Sequence, residues 1–344
     1  MNDVTTKFNS PWPDLNDKSI LITGGTGSFG KAFIQSILDN FSPKRLIVFS
    51  RDELKQFEME QVFSRTKYPC MRYFIGDVRD LDRLEMAMRD VHLVIHAAAL
   101  KHVPAAEYNP FECINTNVVG AENMVKAAIR NGVEKVVALS TDKAASPLNL
   151  YGASKLASDK IFIAANFLSG HSKTSFSVVR YGNVVGSRGS VIPFFERLRD
   201  EGAEFLPITD DRMTRFWITL HQGVNFVMST IAMMHGGEIF IPKIPSADMM
   251  QVAEAIAPDM PTKVIGIRPG EKLHEVMITS DDARSTLSLK DRYAIIPRLE
   301  FWKPEIHTFE NSEPVDENFY YASDNNPEKL TIDEMRELLK ARRS

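Results

Sequence analysis

Cysteine is nearly missing from this chain: Cys70 and Cys113 are the two it has, far apart and without metal-ligand spacing. That speaks against a disulfide framework and against a zinc or other metal centre, and it points to reduced core thiols in a cytoplasmic protein. A basic excess is missing too. Lys and Arg number 41 against 45 Asp and Glu, interspersed, so no stripe offers itself to nucleic acid and no polybasic anchor to a membrane. No run approaches the about 18 consecutive apolar residues of a membrane helix. Residues 1–19, polar with Pro11 and Pro13, lack the basic start and apolar stretch of a signal peptide. No internal repeat is visible. What is there is a globular chain of 344 residues, 44% hydrophobic, enough for one large or two modest domains.

The apolar stretch Ser19 to Thr23 leads into Gly24-Gly25-Thr26-Gly27-Ser28-Phe29-Gly30 and then a helical run, Lys31 to Asp39. The first glycine permits a tight turn, the second lets backbone approach a pyrophosphate, and the third packs the helix on the strand. The helix N-terminus adds partial positive charge. A strand before, a helix after and a further strand at Arg45 to Phe49 predict a dinucleotide-binding βαβ unit. That second strand ends in Ser50-Arg51-Asp52, where Arg51 would face a ribose 2′-phosphate and Ser50 would add a hydrogen bond, favouring NADP over NAD. The alternative is a solvated Arg51, with Asp52 on the ribose. A third strand, Met71 to Ile75, runs into Gly76-Asp77-Val78, with Asp77 placed for an adenine amino group. A fourth, Leu93 to His96, runs into Ala97-Ala98-Ala99, small enough for backbone to lie along the dinucleotide.

A helix is expected from about Asn115 to Asn131, with Asn117 either bonding backbone near the site or serving as an ordinary helix-start residue. The fifth strand, Val133 to Leu139, delivers Ser140-Thr141-Asp142-Lys143. Soon after comes Tyr151-Gly152-Ala153-Ser154-Lys155. Tyr and Lys four apart share a helix face, so the Lys155 ammonium is expected beneath the Tyr151 phenol, lowering its pKa. Such a Tyr can take a hydroxyl proton while a bound nicotinamide takes the hydride from the same carbon. The spacing also arises by chance; here the strand before it and the glycine loop give it weight. Asp142 and Lys143 are additional to what a plain dehydrogenase needs, and point to a second reaction.

Strands alternating with helices predict an α/β fold, a Rossmann-type doubly wound parallel sheet over residues 17–186. After Ser177 to Arg180 and Tyr181-Gly182-Asn183 the alternation becomes irregular. A smaller, mainly substrate-binding region is expected at 187–300 and a C-terminal extension at 301–344, amphipathic from Ile332 to Leu339. Arg212 and Arg215 beside aromatics, and Arg268-Pro269-Gly270-Glu271-Lys272, look like clamps for a diphosphate and ribose hydroxyls, hence a nucleotide-sugar.

Together the glycine loop, Ser140-Thr141-Asp142-Lys143, Tyr151-x-x-x-Lys155, Arg180-Tyr181-Gly182-Asn183 and Arg268 to Lys272 resemble the extended short-chain dehydrogenases. More closely they resemble the soluble, C5-inverting UDP-N-acetylglucosamine 4,6-dehydratases that open pseudaminic acid and related deoxysugar pathways in bacteria. The resemblance spans about Asp17 to Met277. It implies Thr141, Tyr151 and Lys155 for hydride chemistry, Asp142 as acid and Lys143 as base for dehydration. It also implies a sugar pocket with Lys101, beside Asn183, Arg215, Arg268 and Glu271. The cofactor would be held NADP, recycled in each turnover; the assembly a homo-oligomer built on dimers, up to a hexamer, through helices near 117–130 and 154–167. Retaining relatives tend to have Met at the Tyr151 position and N-terminal membrane helices. A retaining dehydratase, a UDP-sugar 4-epimerase and a non-catalytic dinucleotide-binding regulator stay open as alternatives.

Overall fold

In the computed structural model, residues 6–170, 173–187, 189–297 and 309–342 are described. The stretch 301–308 of the expected C-terminal extension therefore lies outside the described residues. Six of the strands open the chain: β1 Ser19–Thr23, β2 Arg45–Ser50, β3 Met71–Ile75, β4 Leu93–His96, β5 Lys135–Thr141 and β6 Ser175–Tyr181. Helices α1 Ser28–Asn40, α2 Glu53–Val62, α3 Leu81–Ala87, α4 Val103–Tyr108, α5 Pro110–Ile114, α6 Gly120–Arg130 and α7 Leu150–Leu168 connect them. The inner strands are mainly apolar because both faces of a parallel sheet are covered by helices, while β3 at the edge is only partly buried. β1 is buried along its whole length.

The sheet order is β3-β2-β1-β4-β5-β6, continued by β10 (Ile239–Pro242), all parallel. Order reverses between β1 and β4, which places a ligand crevice above the carboxyl ends of those two strands. α1 packs on α9 (Leu220–Met233), while α3 packs on α6 and α6 on α7, giving two helical layers.

Two boundaries differ from expectation. The helix expected from Asn115 begins earlier, at Pro110, and passes through a π turn at Asn115–Val119 before α6. The main sheet does not end near Gly186. β10 joins β6, and β15 (Arg292–Ile295), β14 (Thr286–Ser288) and β16 (Glu313–Pro314) extend it antiparallel. The reason is burial: Ile239, Phe240 and Ile241 are as apolar as the earlier strands and cover the open edge of β6.

A second hydrophobic cluster is built from α8 (Val191–Asp200), β8 (Leu206–Ile208), β9 (Thr214–Ile218), β11 (Ser246–Asp248) and α10 (Met249–Ile256), with β7 (Asn183–Val184) paired along β9. Its core includes Ile192, Phe195, Trp217 and Val252, and it is closed by Leu330, Met335 and Leu338 from the tail, the last two on α12 (Ile332–Ala341). The remaining short elements are β12 (Thr262–Val264), which pairs with β8, β13 (Val276–Ile278), which pairs antiparallel with β17 (Tyr321–Ala322), and α11 (Ser280–Ala283). Before β1, Phe8 is buried on Phe226, and the carbonyls of Thr6 and Lys7 accept from Gln222 and Asn225 of α9. Among the described residues no helix is long and apolar enough to cross a membrane.

Candidate active site

The glycine loop turns at Gly24, whose φ of +64° suits glycine, and feeds α1 with Gly27 as N-cap and no side chain capping the first turn. A Cβ at Gly30 would lie 2.4 Å from Gly25 backbone, so helix and loop touch there without room for a side chain. Exposed Ser28 and half-buried Phe29 begin the helix. The loop is thus a side-chain-free cradle at a 13-residue helix start, which fits a dinucleotide's pyrophosphate. Thr26 Oγ1 lies 3.1 Å from Ser50 Oγ, fixing the end of β2. Ala97 and Ala98 backbone face Gly24, with Ala99 next in the chain. Val78 is buried.

Asp77 is taken up by its neighbours: Arg79 grips it with Nε at 3.0 Å and Nη2 at 2.8 Å, and Arg51 Nη1 stands 3.7 Å away. These guanidiniums hold its carboxyl below the usual range although burial acts the other way. The adenine contact expected of Asp77 would have to be made beside Arg79. Asp52 caps α2 by accepting from Lys55 N and pairs with Lys55 Nζ at 2.7 Å, which commits it to the helix.

At the end of β5, Thr141 turns into a 3-10 turn, Asp142–Ala144. Asp142 is 1% exposed; its Oδ1 accepts from Thr141 Oγ1 at 2.9 Å and Lys143 Nζ at 3.0 Å, while its buried Oδ2 has no hydrogen-bond partner. Burial raises the Asp142 carboxyl and nearby Glu275 adds to the rise, against the pull of Lys143. Lys143 Nζ is shared, 3.0 Å from Asp142 and 3.0 Å from Glu275 Oε1. Burial pulls its amine down, but the two carboxylates outweigh that and hold it as an ammonium. The free base expected at Lys143 is therefore an ion-paired cation in this arrangement.

Asn149 starts α7 by capping Gly152 N at 2.8 Å, which brings Tyr151 and Lys155 in over the turn. Tyr151 is buried, and burial pushes its phenol up to about 12, opposed by Lys143 and by the hydrogen bond it shares with Thr141. The expected lowering by Lys155 is not found. Lys155 is 4% exposed and burial lowers its amine; the charge that sustains it is Asp159, one helical turn on. Asp159 Oδ2 in turn accepts from Ser140 Oγ at 2.8 Å and Arg180 Nη2 at 3.4 Å. Asn117, 1% exposed, bonds both N and O of Leu100 and the Ser154 hydroxyl, so of its two readings the backbone-fixing one is seen.

The residues expected on the sugar side are less uniform. Lys101 is exposed on the loop after β4, and Asn183, on β7, is half-buried. Arg268 is exposed and Glu271 half-buried, with a buried Oε2 lacking a partner. The paired arginine fork does not form. Arg212 is bound by Asp210, through Nε at 2.9 Å and Nη2 at 2.9 Å. Arg215 spends its guanidinium on the carbonyls of Thr214, Lys272 and Leu273, beside Glu275 at 3.7 Å. Asn149 Nδ2 to Gly270 O, Lys272 Nζ to Ala145 O and Arg180 Nη1 to Met277 O tie this segment to the surroundings of the Asp142–Ala144 turn.

Asp159 and Glu275 are parts of the site that the motifs do not mark. Asp159 carried a signal, an acid four residues after Lys155 on the same helix face; Glu275 is marked only by standing before an apolar run, Val276 to Ile278.

Residues 20–297 match the model of a family described as polysaccharide biosynthesis protein. A UDP-N-acetylglucosamine 4,6-dehydratase (inverting) of Campylobacter jejuni is 58% identical over 330 residues, covering 94% of this chain and 98% of its own. A UDP-glucose 4-epimerase of Rickettsia canadensis is 44% identical over 287 residues, 81% of this chain and 83% of its own. Among solved structures, Pen from Bacillus thuringiensis superposes with a TM-score of 0.87 at 37% identity, over 96% of this chain and 99% of that one.

Proposed function

Because the chain belongs to the polysaccharide biosynthesis protein family, we propose that it is a nucleotide-sugar 4,6-dehydratase acting on UDP-N-acetylglucosamine with inversion at C5. The observation that carries the dehydratase reading is the buried Asp142 carboxyl, one oxygen without a partner, bonded to an amine at the strand end beside Tyr151. A 4-epimerase has no use for that acid and amine, and the 58% identical dehydratase outranks the 44% identical epimerase in identity and coverage.

When bound on the glycine loop, a nicotinamide dinucleotide supplies the hydride acceptor for C4 and the donor for C6. NADP is favoured by Arg51, whose guanidinium is more than half exposed and, among the described residues, has Asp77 at 3.7 Å as its nearest carboxylate. Tyr151 takes the hydrogen of the C4 hydroxyl, with Thr141 and Lys143 lowering the cost of the phenolate. For water loss, one hydrogen moves across the 3.0 Å contact from Lys143 Nζ to Asp142, turning an ion pair into a carboxylic acid and a neutral amine. Burial favours that uncharged pair. Lys143 then takes the C5 proton, the C5–H electrons form the C5–C6 double bond, the C6–O bond breaks and Asp142 gives its hydrogen to the departing oxygen as water. The step returns Asp142 and Lys143 to the ion pair they started from; saturation of the double bond at C6 would leave C5 to take up one proton, which balances the one Tyr151 removed from the C4 hydroxyl, and delivery of that proton to the opposite face would give the inversion. Lys101, Asn183, Arg268 and Glu271 line the sugar side, whereas Arg215 acts by holding the 272–273 backbone.

Incubation with UDP-N-acetylglucosamine tests the reading by product mass and by proton NMR in heavy water. Loss of one water, one deuterium at C5 and ring couplings of the L-arabino ketosugar are expected. Unchanged mass with inverted C4 would make the protein an epimerase; a D-xylo product would make it a retaining dehydratase.

A further inference from the structure

Glu275 has a place in the site that the proposed chemistry has not used. It is 1% exposed and stands at the N-terminal side of β13, remote in sequence from the catalytic turn. Its Oε1 is 3.0 Å from Lys143 Nζ, the same distance as Asp142 on the other side of that amine. Arg215 Nε at 3.7 Å and Lys272 Nζ at 3.9 Å face it from β9 and from its own segment, and its Oε2 accepts no hydrogen bond. Its backbone is pinned: the Glu275 N–H donates to Ser323 Oγ and its carbonyl accepts from Ser323 N, each at 2.9 Å. A buried carboxylate fixed by two chain segments and facing three cations keeps its negative charge.

Resting on the dehydratase reading, we propose that Glu275 is a positioning residue for water loss, which locks the Lys143 amine against Asp142 and sets the pH range over which that pair holds the single hydrogen it works with. The groups that face the pair are Glu275 and Lys272 from the β13 approach, Arg215 from β9 and Tyr151 from α7. The sign follows from charge. A negative neighbour makes a hydrogen harder to remove from an acid and from an ammonium alike, so Glu275 lifts both ionisations of the coupled pair. Arg215 opposes this at Lys143. Activity requires the pair to carry one mobile hydrogen: with both groups protonated there is no base, and with both stripped there is no acid.

The test is the pH profile of kcat for water loss in the full-length, cofactor-loaded enzyme. In Glu275→Gln both limbs are expected to move to lower pH, by about one unit or more for loss of a charge at hydrogen-bond distance. Glu275→Asp, which keeps the charge, should hold the limbs near their wild-type positions even where kcat falls, and KM should change little in either variant. Arg215→Gln should move the limbs the opposite way, and it carries the test if Glu275→Gln does not fold. Limbs that stay put in Glu275→Gln, that move as far in Glu275→Asp, or that fail to rise in Arg215→Gln would overturn the inference. If the wild-type protein loses no water from UDP-N-acetylglucosamine, the functional reading falls instead, so the two failures are distinct.

Discussion

Arg51 and Lys143 show how much a single side chain decides here. Arg51 is more than half exposed and held only loosely by Asp77, so it is able to turn toward a phosphate at little cost. Arg51→Ala is expected to weaken NADP by roughly tenfold or more, the worth of one charge-assisted hydrogen bond, with NAD nearly unchanged in a fluorescence titration. Equal weakening of both would remove Arg51 from cofactor choice. Lys143→Ala takes away the amine that pairs with Asp142 while leaving Thr141, Tyr151 and Lys155 in place. Dehydration should fall to background with the fold intact by circular dichroism; a rate within tenfold of wild type would exclude Lys143 as the base. The residues proposed for the reaction stand out in the sequence because their types and spacing are local: Asp142 and Lys143 adjoin the strand end, and Tyr151 and Lys155 share one turn. Their ionisation was legible only in part. Lys143 is held as a cation by adjacent Asp142 and by Glu275, which folding alone brings near, whereas Lys155 is sustained by Asp159, one turn on along the same helix.

Among the elements, α7 bears the most on the chemistry, because its first turn sets Tyr151 over the catalytic turn. Asn149 caps it and also reaches Gly270 O at 2.8 Å, so one side chain positions both the helix and the sugar-side segment. Asn149→Ala should cost about 1 kcal/mol from the cap, seen as a lower Tm, and should raise KM for the nucleotide-sugar. A lower Tm with unchanged KM would confine Asn149 to the helix. Gly152 sits where an added Cβ would lie 2.3 Å from the Lys143 carbonyl, so Gly152→Ala should displace the Asp142–Lys143 turn and lower kcat by at least tenfold, with Tm affected less. β1, β3 and β4 have the bounds their apolar runs suggested. The helix entry did not, because a π turn leaves no periodic mark in side-chain pattern and is fixed by the buried Asn117 bonding Leu100.

For the whole molecule, the consequences lie in assembly and chain order. Of the large apolar residues on the helices expected to pair, near 117–130 and 154–167, Met124, Val125 and Phe162 are buried and the rest, Val118, Ile129 and Ile161 among them, are half-buried in the protomer; strongly exposed ones flank them, Tyr108 at 88% and Phe111 at 81% before and Leu168 at 71% at the end of α7. A homo-oligomer using this face predicts that Phe111→Glu lowers the mass found by light scattering toward the monomer without loss of secondary structure; an unchanged mass would place the interface elsewhere. The doubly wound sheet was legible from the alternation of strands and glycine loop. Its far side was not, since β10, β14 and β15 are short and follow a stretch of irregular structure.

That far side governs how the protein is made. A ribosome releases β6 long before β10, whose Phe240 pairs with Val179 and covers the edge. Met277, which Arg180 of β6 must reach, emerges later still, next to Glu275. The nascent chain thus carries a complete dinucleotide loop and catalytic helix while the acid that anchors Lys143 does not yet exist. Cofactor contacts are available to the growing polypeptide first, and competence for dehydration comes only with the last third of synthesis.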